Sequence, residues 1–156
     1  MARTFRRLAP SALAAALALL TAGPVSAAGR LVEQTVDVPR ETRIPLSLAF
    51  EKSTIFAVES QNDPKPADVE DARKTDPDDN TWLLLRFYYK NEGWTKQKVR
   101  IRALVLDEDG GVLADAGRST RLGKEKTEDT VSVPMKVKTT DWAKAKQLKV
   151  LATFLD

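Results

Sequence analysis

Apolar and polar residues alternate along most of this chain, and the alternation predicts strands. Leu83, Leu85, Phe87 and Tyr89 recur at period two, opposed by Trp82, Leu84, Arg86, Tyr88 and Lys90. Val99, Ile101, Ala103 and Val105 repeat the pattern, with Arg100, Arg102, Leu104 and Leu106 on the other face. Asn91-Glu92-Gly93 and Asp109-Gly110-Gly111 fall where the chain must reverse, because glycine takes positive φ without strain. Trp82 to Asp115 therefore reads as three successive antiparallel strands joined by two turns.

The same reading extends outward. Leu31 to Val38 alternates and predicts a half-exposed strand ended by Pro39. Ile44 to Phe50 predicts a second strand, and Pro45 assigns it to a sheet edge, since proline cannot donate to a ladder. Thr54 to Glu59 is a third, rich in β-branched and aromatic residues. Gln61 to Asn80 carries prolines and many acids and predicts a long irregular loop, with room for a short helix over Asp68 to Lys74. Ser119 to Asp129 is polar and turns at Leu122-Gly123-Lys124. Thr130 to Val137 is a strand, and Thr139 to Lys146 predicts one or two helical turns capped by Thr140 or Asp141. Leu148 to Leu155 is apolar on both faces and predicts a strand well inside a sheet. The fold class expected is all-β: an antiparallel sandwich of seven or eight strands with Greek-key character and one short crossover helix.

Residues 1–27 do not belong to that pattern. Arg3, Arg6 and Arg7 form a basic start, Leu8 to Ala22 an apolar run, and Val25-Ser26-Ala27 a small-x-small cleavage site. About 15 apolar residues interrupted by Pro10 fall short of the ~20 that a spanning helix needs. The expectation is a secretory leader cut after Ala27, leaving residues 28–156 as a single domain with no transmembrane segment. Leu-Ala-Pro after the arginine pair favours ordinary Sec export over the twin-arginine route. With no cysteine there is no lipid attachment site on the leader. A cysteine-free exported domain suits a bacterial periplasm or exterior better than a small eukaryotic secreted module.

Removing the leader changes the charge. The whole chain has 25 Lys+Arg against 22 Asp+Glu, and the three leader arginines are the entire difference. The remainder is neutral, so the basic pI is no argument for nucleic acid or for an anionic membrane. Neutrality gives little repulsion between copies, and weak self-association is a further expectation. With 0 Cys and 0 His, no thiol nucleophile, imidazole base, Ser-His-Asp triad or His/Cys zinc site can be built.

The order of strand, Asn-x-Gly, strand Val99 to Asp107 (VRIRALVLD), Asp-x-x-Gly-Gly turn, strand, polar loop with Leu-Gly, strand, short helix and closing strand resembles small exported bacterial Ig-like modules of the FxLYD type. The resemblance covers Trp82 to Leu155 and implies an Ig-like β-sandwich. Such modules share no catalytic residues, so it carries no site over. The 61–80 insertion departs from a minimal module, and the inter-sheet disulfide of antibody domains is missing.

Three chemistries remain to be weighed. Trp82, Arg86 and Tyr88 share the less apolar face of their strand and Trp94 sits in the next turn, a set that could bind a protein or stack on sugar rings. Asp76, Asp78, Asp79 and Asn80 could supply oxygen ligands to calcium, as could Asp107, Asp109 and Asp115, though neither set has an EF-hand pattern. Any pair among Glu59, Asp63, Glu92 and Glu108 could be imagined as a glycosidase acid and nucleophile, but no spacing fixes one. The function expected is an exported, non-catalytic interaction module binding a protein partner in the cell envelope. A carbohydrate- or calcium-binding module is the alternative and a carboxylate-dependent hydrolase the third. No cofactor is expected, calcium being the one for which ligands are in view, and the partner itself is not identified.

Overall fold

The computed structural model describes residues 29–62 and 79–155. These form eight strands and one helix: β1 Arg30–Asp37, β2 Ile44–Phe50, β3 Ser53–Asn62, β4 Asn80–Asn91, β5 Gln97–Leu106, β6 Val112–Leu122, β7 Lys126–Lys138, α1 Thr139–Lys144 and β8 Gln147–Leu155. Two antiparallel four-stranded sheets result, ordered β1-β8-β5-β6 and β2-β3-β4-β7. The all-β sandwich with one short helix is as expected. The leader and the helix expected over 68–74 lie outside the described residues. Among those described, no helix is long and apolar enough to cross a membrane.

The period-two faces are the core. Leu83, Leu85 and Phe87 from β4, Val99, Ile101, Ala103 and Val105 from β5, and Val150, Ala152 and Phe154 from β8 are all fully buried. Each sheet contributes one apolar face, and the two close on each other. β2 lies at an edge as Pro45 required, and β8 lies between β1 and β5, as its apolar faces required.

The expected meander is corrected. β4 and β5 are not paired: β4 lies between β3 and β7, and β5 between β6 and β8. Residues 92–96 cross from one sheet to the other, so of the two turns expected in the meander the Asp107–Gly111 turn alone closes a hairpin, joining β5 to β6. There Asp107 Oδ1 accepts from the backbone N–H of Asp109 at 3.0 Å and of Gly111 at 2.7 Å, while Gly110 takes φ 83°. β4→β5 and β7→β8 both cross the sandwich, with β4 beside β7 and β5 beside β8, which is Greek-key wiring.

Two further details differ from expectation. The polar stretch 119–129 is mostly strand, since β6 and β7 run through it up to a tight turn; both are edge strands, where polar residues face water. The helix is not capped by Thr140 or Asp141. Lys138 stands at the N-cap without a side-chain hydrogen bond. Thr139 instead ties the helix start to β4: its N–H reaches Asp79 O and its Oγ1 reaches Asp79 Oδ1, each at 3.0 Å. At the other end Arg40 donates to Trp142 O at 2.9 Å and Ala145 O at 3.1 Å, with its guanidinium over the Trp142 ring. A cation that satisfies the last carbonyls of a helix also suits the negative end of its dipole. Trp142 is buried, so it pins α1 to the sandwich as a core aromatic.

Candidate functional site

The outer face of β4 has its own packing. β3 bulges between Ile55 and Ala57, so Phe56 and Ala57 both stand opposite Tyr88. The bulge presents Phe56 to the same side as Tyr88, with ring centroids 6.4 Å apart. Arg43 covers both rings, its Cζ 3.7 Å from the Tyr88 centroid and 5.2 Å from that of Phe56. Tyr88 donates its hydroxyl to Glu59 at 2.9 Å, and Arg86 pairs with Glu59 at 3.5 Å and donates to Gln61 at 3.2 Å. Arg86 and Tyr88 are thus engaged within the sheet face, and so is Glu59.

Trp82 stands apart, half-buried and opposite Lys136, whose ammonium lies 5.7 Å from the ring centroid. Six residues of strand separate it from Tyr88, roughly 20 Å at strand rise. Trp82, Arg86, Tyr88 and Trp94 therefore do not form one surface. Arg86 and Tyr88 come together; Trp82 and Trp94 belong to different ends.

Trp94 is 75 % exposed, the most open large apolar residue among those described. It rides on the β4–β5 crossing, at the lip of a cleft of ≈ 500 Å³ lined by Glu51, Lys52, Asn91, Thr95 and Gln97 among others. The crossing is held rigidly. Asn91, only 2 % exposed, donates Nδ2 to Thr95 O and to Gly123 O, each at 2.9 Å, and accepts from Gly93 N at 3.0 Å. Glu92 N–H reaches Lys52 O, and Glu125 N–H reaches Gly93 O, each at 3.0 Å. Gln97 donates to Leu155 O at 2.7 Å. The loop is thereby tied to the β2–β3 turn on one side and the β6–β7 turn on the other.

Those two turns hold backbone strain. Glu51 has φ 50° and Glu125 φ 52°, a region that side chains other than Gly and Asn seldom enter. Strain of this kind at a cleft is an observation from which a functional role can be argued.

Below the cleft Tyr89 links the turn to β4. Its hydroxyl donates to Asp129 Oδ2 at 3.1 Å and accepts from Gly123 N at 2.9 Å. Burial pushes the phenol above the ordinary tyrosine value; the Gly123 N–H opposes this, and the Asp129 carboxylate adds to it. A group with a raised folded pKa contributes stability that is intact below its unfolded value, about 10, and is lost as pH rises through the folded value. Tyr88 and Tyr89 are the chain's 2 tyrosines, so Tyr88→Phe isolates Tyr89. In that variant the phenolate absorbance is expected to appear only above pH ~10, together with loss of thermal stability. Ionisation below pH 10 with the fold intact would contradict the burial argument.

The acidic residues divide. Asp76, Asp78 and Asp63 lie outside the described residues. Asp79 is engaged with Thr139, and Asn80 begins β4 opposite Lys138. Asp107 shapes its own turn. Asp115 pairs with Arg102, which donates from Nε at 3.0 and 3.1 Å; that hydrogen bonding holds the carboxyl below its ordinary value. Among the described residues no three His, Cys, Asp or Glu side chains converge. Glu92 pairs with Lys90 at 3.6 Å.

The sequence places Trp94 in a turn but does not show the cleft, because Glu51 and Lys52 reach it only through the pairing of β3 with β4. Asn91 has the sequence context of a turn residue, and its side-chain role has no separate signature. Comparison of the chain with protein-family models, curated proteins and solved structures finds no match.

Proposed function

We propose that this chain is an exported, non-catalytic interaction module that binds a protein partner of the cell envelope through the cleft beside Trp94. The observation that carries this is a tryptophan 75 % exposed on a loop whose backbone is tied down on both sides. Exposing a large aromatic on a rigid loop costs solubility and gains nothing for folding, whereas a preorganised aromatic is an efficient anchor for a partner. The absence of Cys and His, together with the engagement of Glu59 and Glu92 by cations, supports a non-catalytic reading.

A second reading has its own support. Glu51 and Thr95, which carry a carboxylate and a hydroxyl, line the cleft beside an open indole. That is also the chemistry that stacks on a sugar ring and hydrogen-bonds its hydroxyls.

The test is a comparison of wild type with Trp94→Ala as baits against envelope extract and against a polysaccharide panel. Because Trp94 is exposed, the variant is expected to melt with the wild type. Its affinity for a true partner should fall by about 30-fold, as for an interfacial tryptophan. A ligand held equally by both proteins would place binding elsewhere, and one that proves to be a glycan would select the second reading.

A further inference from the structure

On the opposite sheet the register brings together cations that the alternation of each strand shows only separately. Lys98 of β5 stands directly opposite Arg121 of β6, and Arg100, next on the same face of β5, stands between Ser119 of β6 and Thr153 of β8. Direct cross-strand partners have Cβ atoms about 5 Å apart and diagonal ones about 7–8 Å. Lys98, Arg100 and Arg121 therefore converge, with two hydroxyls beside them.

Among the described residues none of the three makes an ion pair. Arg100 Nε reaches Ser119 Oγ at 3.4 Å, a long contact with a neutral group. The nearest acid along the strand pair, Asp115, is bound to Arg102. On the far side Glu33 is taken by Lys149 at 3.1 Å. Two adjoining depressions of ≈ 280 and ≈ 270 Å³ lie over this stretch and share Ser119. Gly117 lines the first, and a Cβ there would meet Ile101 O at 3.1 Å, so the groove floor is backbone.

Like charges directly opposite on a sheet destabilise it. Protection of an exposed edge would account for Arg121, since β6 is an edge strand. It does not account for Lys98 and Arg100, which lie on β5 inside the sheet. A feature that weakens the free protein and is relieved by an anion points to an anion.

We infer that Lys98, Arg100 and Arg121, with Ser119 and Thr153, form a binding site for a phosphate group, either the free dianion or a terminal monoester. Guanidinium forks and hydroxyls suit tetrahedral oxyanions. Three uncompensated cations favour a dianion over a singly charged diester. The site is separate from the Trp94 cleft, so either proposal stands or falls without the other.

Calorimetric titration and thermal melts of the full chain test this, with inorganic phosphate and glycerol phosphate as probes and ionic strength fixed with chloride. The expected result is saturable binding of at least one probe and a rise in Tm with its concentration. Arg100→Gln should weaken binding about tenfold, and the double variant Lys98→Gln, Arg121→Gln should abolish the Tm rise. In chloride alone Arg121→Gln is expected to melt at or above wild type, which also shows that it folds. Tighter binding of glycerol phosphate would assign the group to a larger ester, and tighter binding of inorganic phosphate would assign it to the free anion. Absence of saturable binding by both probes, unchanged binding in the variants, or a lower melt of Arg121→Gln in chloride would each overturn the site.

Discussion

Replacing Phe87 by alanine is expected to remove about 3–5 kcal/mol of stability, the range for deleting a fully buried phenylalanine. The ring is 0 % exposed on the central strand β4, between Leu85 and Tyr89 and in register with Val58 and Val131, both also in the core. Rigid strands on both sides leave little scope for collapse into the cavity, so the upper half of the range applies. Domains of this size have about 5–15 kcal/mol in total. With 0 Cys no disulfide limits the unfolded ensemble. Tm should fall by more than about 10 °C. Phe87→Leu, which keeps most of the volume, should lose less than half as much. A Phe87→Ala melt within a few degrees of wild type would mean that this face is not the core.

Phe87 is also a case of what the sequence makes legible. Period-two alternation assigns a side chain to a face, and in a two-layer sandwich the apolar face can only point inward, so the core could be read residue by residue. Pairing partners could not. β4 and β5 each bury one face in the same core, and that pattern is identical whether they are neighbours in one sheet or members of two. Asn91-Glu92-Gly93 has hairpin chemistry, yet the asparagine side chain there clamps a crossing five residues long. Edge strands hid their length for a related reason: apart from the buried Leu122, residues 119–122 and 126–129 need bury little, so they carry no alternating apolar signature. The Phe56 bulge, which brings that ring to Tyr88, is a one-residue shift in pairing that the alternation does not record. For the candidate sites the limit is the same. Exposure of Trp94 followed from its place in a turn, but its distance from Trp82 and Tyr88, the walls of its cleft, and the meeting of Lys98 with Arg121 are all properties of register.

Asn91→Ala is expected to cost about 2–4 kcal/mol, a large loss for a polar residue. The amide serves three backbone groups at once: the carbonyls of Thr95 and Gly123 and the N–H of Gly93. Deleting it at a position 2 % exposed leaves those groups short of partners, at roughly 1–3 kcal/mol for each that water cannot reach. Asn91→Asp separates this account from simple loss of volume. The substitution is nearly isosteric and keeps the acceptor for Gly93, but it replaces two donated hydrogen bonds with a carboxylate facing two carbonyls. Its cost at neutral pH should therefore exceed that of alanine. Burial and the facing carbonyls raise the folded pKa of the introduced acid. The linked stability is then fully present below the unfolded value, about 4, and is lost as pH rises through the folded value, so this variant should regain part of its deficit in acid. Both variants should also loosen the loop that carries Trp94, seen as increased acrylamide quenching and weaker partner binding before global unfolding. Were Asn91→Asp to melt with wild type at neutral pH, the crossing would be held by the Glu92 and Glu125 backbone bonds alone, and the rigid presentation of Trp94 would lose its stated cause.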